Sequence, residues 1–143
     1  MRALVLYDSI YGNTKQIAAA IADVLGAELV AVGIVNDQPE LLQNCDLLVV
    51  GSPINGWRPT QRTGDFLQGL RAGELNGCRV ATFDTRMRIF FHGDAAGKIA
   101  EALSRAGATV IGEAQGFLVK GKKGPLVDGE LERARTWAKT LLQ

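Results

Sequence analysis

Short apolar runs alternate with helix-period segments along this chain. Residues 3–7 form an unbroken apolar run, the pattern of a strand covered on both faces. Apolar side chains then recur at Ile17, Ala20, Ile21 and Val24, a helical spacing over residues 13–25 that Gly26 closes as a C-cap. A second strand is expected over residues 28–32. A short helix or turn follows over residues 37–42, with Pro39 early enough in it to be tolerated. Residues 46–50 read as a third buried strand ending at Gly51, and Gly, Pro and Asn mark residues 51–59 as a loop. Residues 60–70 look helical, with Phe66, Leu67 and Leu70 on one side, and residues 79–83 form a fourth strand before a polar and aromatic loop over 84–93. The next helix, 94–106, turns Ile99, Ala102 and Leu103 inward and is followed by Gly107. Residues 108–111 and 114–119 make a fifth strand broken near Gly112, residues 120–125 a loop, and residues 129–142 a last helix that buries Leu131, Ala134, Ala138 and Leu141 or Leu142.

Strand–helix alternation repeated five times predicts an α/β fold: a five-stranded parallel sheet with helices on both faces, a three-layer sandwich. No internal repeat, linker or low-complexity stretch interrupts it, and the 143 residues are expected to form a single domain, 1–143. In open parallel sheets ligands gather beyond the carboxyl ends of the strands, where the strand order reverses. The loops that matter are therefore residues 8–14, 51–59, 84–93 and 120–125.

Composition narrows the function classes. With 47% hydrophobic and 22% charged residues, the chain is not a disordered polar one. Its net charge of +1 argues against a nucleic-acid binder that works by bulk charge. Two cysteines are too few for a disulfide scaffold or a four-cysteine zinc site. No apolar run approaches a membrane span, and the N-terminal run reaches Asp8 too soon for a signal peptide, so a cytoplasmic protein is expected. The even total hides an asymmetry. Residues 1–50 carry two basic and six acidic side chains, so the basic excess lies in the remainder.

The first loop, Asp8-Ser9-Ile10-Tyr11-Gly12-Asn13-Thr14, runs from a strand into a helix. Gly12 permits a sharp turn, and the first helical N–H groups are unpaired and partly positive. The hydroxyls of Ser9 and Thr14 and the amide of Asn13 add donors. Together they can hold a phosphate dianion with no Lys or Arg. The same residues also read as a plain helix cap. The Gly-Lys-Ser/Thr end of a Walker loop and the G-x-G-x-x-G of a dinucleotide site are both missing.

This loop resembles the flavodoxin phosphate loop, Ser/Thr-x-Ser/Thr-Gly-x-Thr, departing from it at Tyr11. The resemblance continues at Gly51-Ser52-Pro53-Ile54-Asn55-Gly56-Trp57-Arg58-Pro59, at Ala81-Thr82-Phe83-Asp84-Thr85-Arg86 and at Val119-Lys120-Gly121-Lys122-Lys123-Gly124-Pro125-Leu126. It spans nearly the whole chain and is similar to the short-chain members. It implies strand order 2-1-3-4-5 with FMN at the junction of the first and third strands. The phosphate would bind Ser9, Ile10, Tyr11, Gly12, Asn13 and Thr14. The isoalloxazine would contact Pro53, Ile54, Asn55 and Gly56, with Trp57 stacked on it. Thr85 and Arg86 would pass near the pyrimidine edge, with Phe90 or Phe91 as a second wall in place of the family's Tyr. A peptide flip at Asn55-Gly56 would separate the two electrons into single steps. An ordinary Asn-Gly turn is the other reading.

Other residues carry weaker chemistry. His92 reads as a loop residue or a proton-transfer group, and Asp94 as a helix N-cap. Asp8 stands where a receiver domain gathers its phosphoacceptor acids, but the third strand ends Val49-Val50-Gly51 without a second acid, so no such pocket is expected. Cys45 and Cys78 precede the third and fourth strands, away from the ligand loops, and read as packed residues rather than a redox pair. Arg58, Arg62, Arg86, Arg88, Lys120, Lys122 and Lys123 all follow strands, so a basic rim is expected around the ligand end. Electron-carrying flavodoxins are typically acidic there. A solvated face explains the rim, and so does an acidic redox partner protein or the phosphates of NAD(P)H. Three functions follow: an FMN electron carrier with no catalytic side chain, an NAD(P)H-dependent flavin or quinone reductase, or a non-redox interaction module on the same fold.

Overall fold

The structure is a computed structural model that describes residues 1–88 and 93–143. Its elements run β1 (Ala3–Tyr7), α1 (Asn13–Leu25), β2 (Glu28–Ala31), α2 (Val32–Asp37), β3 (Leu47–Pro53), α3 (Gln61–Gln68), β4 (Arg79–Met87), α4 (Ala96–Arg105), β5 (Thr109–Val110), β6 (Gln115–Val119) and α5 (Glu130–Thr140). The sheet is parallel in the order β2-β1-β3-β4-β5. β5 and β6 occupy one slot: β5 pairs the start of β4 at Arg79 and Val80, and β6 pairs its end from Phe83 to Met87. They are two halves of the expected fifth strand, and Gly112, at φ +67, lies in the break between them.

Period-two alternation splits the core in two. Ala3 and Val5 of β1, Leu47 and Val49 of β3, and Ala81 and Phe83 of β4 face α1 and α5. Leu4, Leu6, Leu48, Val50 and Val80 face the other way, onto α2, α3 and α4, where Val35, Phe66, Ile99 and Leu103 meet them. On the first face Phe83, Phe117 and Trp137 form an edge-to-face trio with centroids 5.9 to 6.3 Å apart. The Phe83 ring lies over Gly51 on the neighbouring strand, where a Cβ would come within 2.0 Å of it.

Several boundaries differ from expectation. Val32 opens a helix rather than ending a strand, and that helix stops at Asp37. The cause is Pro39, which lacks an N–H and starts a separate 3-10 turn, Pro39–Leu42. β3 continues through Gly51 and Ser52 to Pro53, and β4 runs on to Met87, into segments expected to be loops. Trp137, unassigned by the sequence pattern, is buried on α5 beside Ala134 and Ala138. Cys45 and Cys78 are free and buried at the opening ends of β3 and β4. Cys45 donates to the Leu47 carbonyl at 3.2 Å and Cys78 to the Arg79 carbonyl at 3.5 Å, and the interaction between the two thiols lowers the pKa of Cys45 and raises that of Cys78. No helix among the described residues is long and apolar enough to cross a membrane.

Candidate cofactor site

The chain leaves β1 at Tyr7, turns through residues 8–12 and enters α1. Gly12 is the N-cap residue in the left-handed conformation, φ +94, and a Cβ there would meet nothing within 4 Å. Its backbone rather than any clash selects glycine. The Ser9 hydroxyl accepts the Gly12 N–H at 3.0 Å and the Lys15 N–H at 3.4 Å. It folds the loop over the helix start and keeps its own O–H to donate. No acidic side chain lies in the first turn of α1. Thr14 is buried, and its Oγ1 lies 2.8 Å from Thr85 Oγ1, which ties the helix start to the end of β4. Asn13 is buried under Gly124, where a Cβ would come within 2.5 Å of the amide oxygen.

Asp8, the carboxylate at the start of this loop, is ion-paired with Arg62. It is 6% exposed. The Thr60 hydroxyl donates to it at 2.5 Å, and Arg62 donates through Nε at 3.1 Å and through Nη2 at 2.9 Å. Thr60 also accepts the Thr63 N–H at 3.3 Å as the N-cap of α3, so one hydroxyl joins β1 to α3.

The second loop is a tight hairpin. Asn55 N–H donates to the Arg58 carbonyl at 2.7 Å and Arg58 N–H returns to Asn55 at 3.4 Å. Gly56 (φ +59) and Trp57 (φ +71) lie between them, both in the left-handed region, the pattern of a type I′ turn. Positive φ is unusual for a residue as large as Trp. The Trp57 carbonyl is held by the Asp94 N–H at 3.3 Å and Lys98 Nζ at 3.2 Å. A Cβ on Gly93 would lie 2.4 Å from Trp57 Cα, so the turn is seated against that glycine. Trp57 itself is 56% exposed.

Asp84 and Arg86 close the third side. Asp84 is fully buried and accepts Arg86 Nε at 2.7 Å and Nη2 at 2.5 Å, and the Ala95 and Ala96 N–H groups at 3.2 and 3.0 Å. The carboxylate raises the Arg86 pKa. Asp94 was expected to be the N-cap of α4, but that position is Ala95; Asp94, one residue earlier, still accepts the Gly97 N–H at 2.8 Å.

These three loops enclose a cavity of about 410 Å³, within the range of small-molecule sites. Ser9, Ile10, Tyr11, Asn13 and Thr14 line it from the first loop, Pro53 to Trp57 from the second, and Thr85 and Arg86 from β4. Gly12 does not line it and acts through the turn it permits. Phe90, Phe91 and His92 lie outside the described residues. Met87, Val119 and Lys122 also line the cavity; Met87 and Lys122 lie in loops expected at the ligand end but were not named as cofactor contacts, and Val119 ends the fifth strand beside them. The ends of β4 and β6 run side by side, as Met87 and Val119 pair, which is the signal that could have found the first two.

The basic rim is smaller than expected. Arg62 is spent on Asp8 and Arg86 on Asp84, while Lys120 lies 3.9 Å from Asp128. Arg58, Arg88, Lys122 and Lys123 make no ion pair among the described residues.

The fold and the site define a parallel α/β protein with a ligand cavity at its strand-order switch point, walled by a helix N-terminus and an aromatic turn. The model of the flavodoxin family matches residues 5–137, and the chain belongs to that family, whose cofactor is FMN. Solved structures agree in fold. A flavodoxin from the domain Archaea superposes with a TM-score of 0.83 at 22% identity, covering 99% of this chain and 96% of that one. Oxidised flavodoxin 1 from Bacillus cereus gives 0.82 at 20% identity, covering 99% and 97%. A short-chain flavodoxin associated with a non-canonical PDU bacterial microcompartment gives 0.77 at 19% identity, covering 99% and 97%. No curated protein matches in sequence.

Proposed function

We propose that this protein is an FMN-dependent electron carrier that passes electrons between redox partner proteins in the cytoplasm, as one flavodoxin-like domain over residues 1–143. The observation that carries this reading is the cavity at the N-terminus of α1. Ser9, Asn13 and Thr14, at the Gly12 turn and the start of α1, line a space with no carboxylate in its lining, and the nearby Asp8 is paired with Arg62. Such a space suits a phosphate dianion.

Ser9 to Thr14 would hold the phosphate, with Ser9 donating its hydroxyl and Thr14 fixed by Thr85. Asn55 to Trp57 would wall the ring, and the turn pairing uses Asn55 and Arg58 while the Gly56 carbonyl stays outside it. The expected peptide reorientation belongs there, because Gly56, at φ +59, lacks the Cβ that restricts such backbone changes. Arg86 would act through its fixed position rather than as a free charge, since Asp84 holds its guanidinium. FMN held in the cavity would supply two-electron storage with one-electron release. No side chain need act as acid or base.

Stepwise anaerobic reduction of the purified protein, followed by absorbance, tests the reading. One FMN per chain, reduced in two resolved stages, supports the carrier. A protein that neither carries nor takes up FMN overturns it. Steady NAD(P)H oxidation by the protein alone would make it a reductase of the same fold.

A further inference from the structure

Beside the candidate cofactor cavity lies a second, larger groove of about 790 Å³ between α3 and α4. Gly56 and Trp57 line both, so one tight turn separates them. Arg58, Lys98 and Arg105 line this groove and no Asp or Glu does. None of the three makes an ion pair among the described residues. The neighbouring acids stay outside the lining. Asp65 accepts from Gln61 and Glu74 pairs with Arg71, while Asp94 accepts the Gly97 N–H. Glu101, between Lys98 and Arg105 on α4, neither lines the groove nor pairs with them. The whole chain carries a net charge of only +1, so this lining is a local feature.

The spacing suits an extended chain. Lys98 and Arg105 stand two helical turns apart on one face of α4, about 10 Å along its axis. Arg58 sits at the Trp57 end. Gly64, Ala72, Ala102 and Ala106 line the groove with little bulk beside Leu67 and Leu70. An extended segment rises about 3.3 Å per residue, so acids about three residues apart would meet successive cations.

We propose that this groove docks an acidic segment of the redox partner protein and so brings the partner's surface against Trp57, one side chain from the cofactor cavity. The inference rests on the electron-transfer reading and assigns the partner's chemistry and place. It narrows the expected basic rim: Lys98 and Arg105, which were not in it, replace Arg62 and Arg86, which are spent.

Ferricytochrome c tests it in two forms, native and basic, or succinylated and acidic, with the same haem. The FMN-loaded protein, reduced with dithionite and freed of excess, is mixed with each. One electron passes to each ferric haem, which becomes ferrous, so each fully reduced chain converts two haems. The acidic form should react about tenfold faster at low ionic strength, with the gap closing near about 0.5 M salt. The Lys98→Glu/Arg105→Glu variant should lose that preference, while Lys123→Glu/Lys139→Glu, exposed and outside both the groove and the cofactor cavity, should keep most of it. Equal rates for the two cytochromes, or an unchanged preference in the groove variant, would overturn the proposal.

Binding separates this from failure of the carrier reading. If the chain takes up no FMN, succinylated cytochrome c should still bind it, with affinity about tenfold weaker in the groove variant by calorimetry. Absence of binding, or binding indifferent to Lys98 and Arg105, counts against the groove. Quenching of Trp57 by NADPH that depends on the same two residues would make it a dinucleotide site instead and also overturn the proposal. Circular dichroism of both variants confirms that they fold.

Discussion

The backbones of Gly93 and Trp57 touch directly: a Cβ on Gly93 would lie 2.4 Å from Trp57 Cα and 2.6 Å from its carbonyl oxygen. Two ligand-end loops are thereby locked together, and a Trp at φ +71 is held in place. Strain of this kind costs about 1–3 kcal/mol and persists only where surroundings enforce it. Gly93→Ala should displace the 55–58 turn. FMN affinity, read by quenching of flavin fluorescence, should fall about ten- to a hundredfold with secondary structure retained. Unchanged affinity would show that the turn does not wall the cofactor.

Thr60 serves two structures with one hydroxyl. It caps α3 and donates to the buried Asp8. Thr60→Ala should destabilise the protein by about 2–3 kcal/mol in urea unfolding, a cap plus a hydrogen bond to a charged group. Thr60→Ser should recover most of it. A loss confined to the size of the cap alone would mean that Arg62 suffices for Asp8.

Arg86 is fixed by a carboxylate that has no exposure. Removing Arg86 leaves Asp84, among the described residues, with the N–H groups of Ala95 and Ala96. Arg86→Ala should cost about 3–5 kcal/mol, as breaking a buried pair does. Asp84→Asn/Arg86→Leu should cost much less than the two single changes added. Additive losses in that double-mutant cycle would show that the pair is not coupled.

Glu130 sets an acid limb of stability. Hydrogen bonding from Arg133 is the largest cause of its lowered pKa, helped by the Leu118 N–H at 2.6 Å. A carboxylate depressed on folding contributes stability above its unfolded pKa and loses it as pH falls through the folded value. Glu130→Gln should therefore be less stable than the parent at pH 7, by about 1–2 kcal/mol. The difference should vanish as pH drops below the folded pKa of Glu130. Urea titrations between about pH 2.5 and 7 read both, and a gap that persists in acid would point to packing instead of charge.

What the sequence made legible follows from what burial rewards. Ala3, Val5 and Leu4, Leu6 point to opposite cores, so the apolar run alone identified a strand covered on both faces. The strand order came with the flavodoxin resemblance. The ends of β3 and β4 were illegible because their buried polar residues look like loop. Ser52 is buried because it takes the Thr60 N–H at 3.1 Å, and Asp84 because Arg86 satisfies it. Hydropathy stops at Val50 and Phe83 while the ladder continues to Pro53 and Met87. The cavity residues from the first two loops were readable from turn and cap chemistry. Lys122 and Val119 depended on where the fifth strand ends. Arg62 reaches Asp8 from 54 residues away, and nothing local announces that pairing.

The central claim is that the opening turn of α1 grips a phosphate, and the most direct test compares FMN with riboflavin, which differ by that group alone. Titrating the flavin-free protein with each, by fluorescence quenching, should show FMN binding about a hundredfold more tightly, roughly 3 kcal/mol. Equal affinity for the two, or none for either, would contradict it.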